Sequence, residues 1–238
     1  MALPRVNDTL NFNMTIPSTG KKVKYRPYLV KEEKVLLQAF ESGDVTTCLE
    51  AMVDTLDACI DKKHKLDIAS LATFDVEYMF TQVRSKSVGE KSGIQISCKS
   101  CNQPNGYALD LDTLKVEVSD TANVIKVNDE ISVEMRYPTY QTLISGKVDQ
   151  IEDNDTDSAM QLIAASIAAV LTEEERIDCN TLKLEEIIDF LSSMTAGQLK
   201  EVSGFLDDMP SLHHLAVFDC EHCGEHNELE LKGLSDFF

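Results

Sequence analysis

Two stretches decide the reading of this chain: Ile94-Gln95-Ile96-Ser97-Cys98-Lys99-Ser100-Cys101 and Leu215-Ala216-Val217-Phe218-Asp219-Cys220-Glu221-His222-Cys223. Each is a short apolar strand running into a C-x-x-C pair. Turn residues follow: Asn102, Pro104, Asn105 and Gly106 in one, Gly224 and Asn227 in the other. A second strand with alternating leucines then returns, carrying Tyr107, Leu109 and Leu111 or Leu229 and Leu231. This is the shape of a zinc knuckle, twice. Zinc takes four tetrahedral ligands, and thiolates bind it at about 2.3 Å. One C-x-x-C turn supplies two thiolates, so Cys98, Cys101, Cys220 and Cys223 are predicted to close one structural Zn²⁺ site. Residues 102–219 lie between the pairs, far more than an ordinary ribbon contains. A large insertion is therefore expected, with the metal joining distant parts of the chain and contributing folding free energy directly. A thioredoxin-like redox pair fits less well, because neither pair opens a helix after a strand.

Upstream, Leu10, Phe12, Met14 and Ile16 alternate with Asn11, Asn13 and Thr15, the period of a half-buried strand. Pro17-Ser18-Thr19-Gly20 is a turn, and Val23 and Tyr25 begin the return strand of a hairpin that Pro27 ends. Helices are predicted over 31–41, stopped by Gly43, over 45–60 with Asp44 as N-cap, and over 75–87. Residues 94–137 read as β-rich, with Ile131, Val133, Met135 and Tyr137 alternating most clearly. Three apolar stripes at helical spacing follow: Met160 to Leu171, Leu184 to Leu191 and Leu199 to Leu206, the last closed by Pro210. The predicted architecture is α+β. A hairpin and helices occupy 1–92, a zinc-ribbon-like β module is built from 93–138 and 209–238, and a helical insertion spans 139–208.

The chain has 238 residues, of which 43% are hydrophobic and 26% charged, a balance that fits a folded globular protein rather than a disordered one. Its formal charge of −19 argues against duplex nucleic acid or an anionic membrane as the main partner, since phosphate binding needs a cationic surface. The most obvious local exception is the basic run Lys21 to Arg26. Tryptophan is absent and aromatics are 6%, which disfavours a stacking platform for single strands. No apolar run is long enough for a membrane span, and the first residues lack the basic and apolar regions of a signal peptide. Seven cysteines, an odd number, suit a reducing cytoplasm better than a disulfide framework.

Other motifs carry less. His222-Cys223-Gly224-Glu225-His226 matches the H-x-x-E-H pattern of some zinc proteases, a hydrolase reading with His222, Glu225 and His226 as the working residues. That chemistry needs both histidines on one helix face, and Gly224 between two knuckle cysteines opposes a helix. Asp153-Asn154-Asp155-Thr156-Asp157 resembles the start of a calcium loop, but Ser158 stands where glycine is needed and Ala164 where the bidentate glutamate is needed. Cys48, Cys59 and Cys179 read as small buried hydrophobes. The sequence holds no Gly-rich phosphate loop, nucleophile elbow or triad, so a non-enzymatic protein is expected.

Two blocks carry a family resemblance. The first is Lys24-Tyr25-Arg26-Pro27-Tyr28-Leu29-Val30-Lys31-Glu32-Glu33-Lys34-Val35-Leu36-Leu37. The second is Phe74-Asp75-Val76-Glu77-Tyr78-Met79-Phe80, running on to Arg84-Ser85-Lys86-Ser87-Val88-Gly89-Glu90. With the C-terminal Glu228-Leu229-Glu230-Leu231 and Asp236-Phe237-Phe238, the chain resembles the baseplate hub proteins of T-even-type contractile-tailed bacteriophages. The resemblance implies a hub subunit or hub assembly factor, made in the host cytoplasm and destined for the virion tail baseplate. It would act through contacts with other hub or tail proteins, the tape-measure protein among them. Arg26, Lys31, Glu32, Lys34, Arg84 and Lys86 are the candidate docking residues, against the plainer reading of well-started surface helices. Phe237 and Phe238 fit either packing on the zinc hairpin or insertion into a neighbour. The alternative to a hub role is a zinc-ribbon adaptor that binds host transcription or translation machinery.

Overall fold

The computed structural model describes residues 10–116, 118, 122–144 and 156–233. The terminal aromatics Phe237 and Phe238, and Asp153 to Asp155 of the calcium-like stretch, lie outside the described residues.

The chain opens with an antiparallel hairpin, β1 (Phe12–Thr15) and β2 (Lys22–Tyr25), followed by helices α1 (Val30–Ser42), α2 (Val45–Cys59) and α3 (Thr73–Val88). Local signals explain these bounds. Gly43 takes a left-handed φ of 71° and turns its N–H back to the Phe40 carbonyl, which ends α1. Asp44 accepts the Thr47 N–H at 2.7 Å and starts α2. Alternate hairpin residues Met14, Ile16, Val23 and Tyr25 then meet Leu36, Met52, Leu56, Met79 and Val83 in a buried core. The Ser18 N–H and hydroxyl both bond the buried Asp75 carboxylate, which ties the hairpin turn to the start of α3.

A second hairpin follows, β3 (Lys91–Ser97) with β4 (Pro104–Asp110), then the short strand β5 (Lys115–Val116). Next come β6 (Val124–Lys126), β7 (Ser132–Met135), α4 (Tyr140–Ile144), α5 (Thr156–Ala165), β8 (Ile167–Leu171), β9 (Arg176–Asp178), α6 (Leu184–Ser192) and α7 (Ala196–Asp207). The last hairpin is β10 (Leu212–Asp219) with β11 (His226–Lys232), and β5 adds to β10. The fold is thus α+β, with small antiparallel sheets and seven α-helices among the described residues.

The stretch between the knuckles is less helical than its sequence suggests. Met160, Ile163 and Ala164 lie on α5, but Ile167, Val170 and Leu171, read as the same helical stripe, belong to strand β8. Ser166 closes the helix, its hydroxyl and N–H both bonding the Leu162 carbonyl. Strand β8 pairs with β7 on one side and β9 on the other, completing the antiparallel order β6-β7-β8-β9. A strand between two partners and under a helical layer reads as a continuous apolar run, which periodicity cannot tell from a buried helix. Ser132 to Met135, read as a strand and grouped by sequence with the cysteine module, pairs with β8. Helices α5, α6 and α7 cover this sheet around Val133, Met135, Ile163, Ile187, Leu191, Val202 and Phe205. No helix among the described residues is long and apolar enough to cross a membrane.

Candidate metal centre

The two cysteine turns meet. The Sγ atoms of Cys98, Cys101, Cys220 and Cys223 all lie within 4.8 Å of one another. Cys98 and Cys223 are 3.8 Å apart, and Cys101 and Cys220 3.6 Å. Thiolates 2.3 Å from a tetrahedral centre stand about 3.8 Å from each other, so the cluster has the dimensions of a four-thiolate metal site. Four cysteines so placed can hold one metal ion.

The two halves repeat each other in detail. Cys98 N–H bonds the Gln103 carbonyl and Cys220 N–H that of Glu225; Asn102 N–H bonds the Cys98 carbonyl and Gly224 N–H that of Cys220. Asn102 and Gly224, equivalent positions, take left-handed φ values of 58° and 74°. Those are the residue types that tolerate that region best. Ser100 and His222 each point a backbone N–H at the first cysteine of their own turn, both at 3.4 Å.

Two asparagines, four residues after the second cysteine of each pair, cross from one half to the other. Asn105 accepts the Glu221 N–H at 2.9 Å, and Asn227 accepts the Lys99 N–H at 2.9 Å. Each amide donates within its own turn, Asn105 to the Gln103 carbonyl at 2.9 Å and Asn227 to that of Glu225 at 2.8 Å. Asn227 also reaches the Cys98 sulfur at 3.5 Å. The two are 2% and 1% exposed, so these bonds replace water entirely. Sequence reading marked them as turn residues only; the signal available was the common offset from both cysteine pairs. Beneath the cluster Ile96, Leu109, Leu212, Ala216 and Leu231 pack the two hairpins into one apolar layer.

The four thiols bear on one another's ionisation. The backbone N–H of Cys101 holds the Cys98 thiol down at about 6 against the effect of burial, helped by the Ser100 N–H and the Asn227 amide. Cys223 is pushed up to about 12: the Glu225 N–H pulls it down, but the thiols of Cys101, Cys220 and Cys98 outweigh that pull. Sulfurs this close cannot all ionise unless a positive charge sits among them.

The histidines of the protease-like motif do not share a helix. His222 lies in the cysteine turn with Nε2 3.2 Å from the Pro104 carbonyl. His226 opens β11 and pairs through Nδ1 with Asp219 at 2.8 Å, a contact that raises its pKa. The geometry the hydrolase reading needs is absent. Cys59 and Cys179 are buried apart from the cluster and Cys48 is half-buried.

The docking candidates fall into two groups. Arg26 bonds Glu32 at 2.9 Å and the Pro27 carbonyl at 2.8 Å, while Glu32 is buried and caps the Leu29 N–H at 2.8 Å. Arg84 is half-buried against the Tyr28 side chain, and Lys86 pairs with Glu90 and Asp112. These four build the start of α1 and the end of α3. Lys31 and Lys34 are exposed on α1, although Lys31 also reaches Glu32 at 3.1 Å.

A family model described as T4 bacteriophage base plate protein matches residues 9–238. The chain belongs to this family. No curated protein and no solved structure matches it. Both resemblance blocks and both cysteine pairs of this baseplate protein lie inside the matched span. A baseplate protein contacts other structural proteins of the phage tail, and its place is the virion tail.

Proposed function

We propose that this baseplate protein serves in the hub, as a subunit or as a factor that promotes hub assembly, by protein–protein contacts and without catalysis. The reading is carried by the family match over nearly the whole chain, taken with the hub-like blocks at residues 24–37 and 74–90. The four cysteines hold Zn²⁺ as a structural ion: a closed all-thiolate set leaves no open position for a substrate or a reactive water. The ion staples the two hairpins on either side of the insertion, and the surfaces built on that scaffold meet hub and tail proteins, including the tape-measure protein. Arg26, Glu32, Arg84 and Lys86 shape the docking face, and Lys31 and Lys34 supply its exposed charges. Assembly takes place in the host cytoplasm.

Affinity purification of the tagged protein from infected cells, with mass spectrometry of the purified particles, tests this. Co-purification with hub or tape-measure proteins is the expected result. Recovery of host RNA polymerase or ribosomes, with no tail protein, would favour the adaptor instead. Elemental analysis of natively purified protein is expected to give one zinc per chain.

A further inference from the structure

Folding brings a second basic segment against Lys21–Arg26. The chain from Cys59 to Lys65 runs beside β2: Arg26 N–H bonds the Cys59 carbonyl at 3.0 Å, Asp61 N–H bonds that of Lys24 at 2.9 Å, and Tyr25 bridges Ile60. Lys24 N–H also donates to His64 Nε2 at 2.9 Å, and Lys21 Nζ to the His64 carbonyl at 3.0 Å. Seven cations and one carboxylate, Asp61, are thereby gathered in a chain of formal charge −19. Asp61 is occupied in capping the Lys63 N–H at 3.0 Å, and Lys62 pairs with Asp57. Lys22, Lys24, Lys63 and Lys65 are exposed and form no ion pair among the described residues. Neighbouring strands stand about 4.8 Å apart, so like charges are crowded here, a cost that an anionic partner would relieve.

The chemistry of the face selects among anions. Its only arginine, Arg26, spends its guanidinium on Glu32 and Pro27, and its only aromatic, Tyr25, is buried. Without a free arginine fork or a stacking ring it offers point charges alone, which suits carboxylates better than bases. The matching surface lies on the chain itself. The β8–β9 turn presents Glu173, Glu174 and Glu175 in succession, all exposed and none in an ion pair among the described residues. Thr172 fixes the turn, its N–H bonding the Glu175 carbonyl at 2.9 Å and its hydroxyl accepting the Glu175 N–H at 3.1 Å.

We propose that the lysine face of one copy docks on the carboxylate turn of a second copy, so that the protein associates head to tail. The two surfaces differ, so the contact is heterologous and repeats from copy to copy, closing into a ring if the rotation allows. Beyond a Debye length of about 8 Å at physiological salt the overall repulsion is screened, whereas contacting charges are not.

Sedimentation of the full-length, metal-loaded protein at about 0.1 M and about 0.5 M salt tests this. Self-association at the lower salt and its loss at the higher are expected. A Lys22→Glu, Lys24→Glu, Lys63→Glu variant and a Glu173→Lys, Glu174→Lys, Glu175→Lys variant should each be monomeric. An equimolar mixture of the two should associate again, an outcome that misfolding of either variant cannot produce. A monomeric wild type, association indifferent to salt, or a mixture that stays monomeric overturns the proposal. So does a wild type that binds a duplex DNA probe through these lysines without associating.

Discussion

Asn105 and Asn227 hold each other's half of the cysteine cluster: Asn105 caps the Glu221 N–H beside Cys220, and Asn227 caps the Lys99 N–H beside Cys98. Each substitution to alanine leaves a partly buried N–H, that of Glu221 or of Lys99, without its partner, which costs about 1–3 kcal/mol, while the Gln103 and Glu225 carbonyls keep their bonds from Cys98 and Cys220. Outer partners that orient metal ligands are worth roughly 10–100-fold in affinity. Asn105→Ala and Asn227→Ala are therefore expected to weaken metal retention to that degree in chelator competition. Asn227→Ala should lose more, since its amide also reaches the Cys98 sulfur.

Metal removal should act locally. The β3–β4 and β10–β11 hairpins share the apolar layer of Ile96, Leu109, Leu212 and Leu231, while the hairpin and α1 to α3 have their own core around Leu56 and Met79. Stripping the ion with a chelator, or changing Cys98 to Ser, is expected to expose the cysteine hairpins to protease while helices α1 to α3 keep their circular-dichroism signal. Cys48→Ser, remote from the cluster, should leave metal content unchanged.

Glu32 is pushed up by burial, but bonds from Arg26, the Leu29 N–H and Lys31 outweigh this and hold its carboxyl below the usual range. A depressed carboxylate contributes stability above its unfolded value near 4.5 and loses it as pH falls through the folded value. Glu32→Ala is expected to cost about 1–3 kcal/mol at pH 7, by uncapping α1 and stranding Arg26, and the deficit should shrink in acid. Urea unfolding of both proteins between pH 3 and 7 checks the sign.

Glu77 behaves oppositely. Burial alone pushes its carboxyl up to about 7 from 4.5. The fold prefers the protonated form, so this group's contribution is full below the unfolded value and is lost as pH rises through 7. Glu77→Gln, neutral throughout, is expected to be more stable than wild type at pH 8 by on the order of 2–3 kcal/mol. The advantage should vanish near pH 4. The difference between the two melting curves is the measure.

Local rules read the N-terminal part and the knuckles well. Strand alternation over Met14–Ile16, the stop at Gly43 and the cap at Asp44 are short-range effects, and each stands where the pattern puts it. The apolar run 163–171 misleads because burial on both faces erases the period that separates strand from helix. Arg26, Glu32 and Lys86 read as a charged surface because the ion pairs that hold them are invisible along the chain.

By itself the sequence marked Cys98, Cys101, Cys220 and Cys223 as a group that could share one ion, because two C-x-x-C turns, each closing a strand, supply the four thiols a tetrahedral site takes. Only the tertiary structure decided that Asn105 and Asn227 cross between the turns, that β8 is a strand, and that Lys62–Lys65 lies beside Lys21–Arg26. Each of these depends on contacts between residues far apart in the chain, and pairwise packing leaves no periodic mark on the segments it joins.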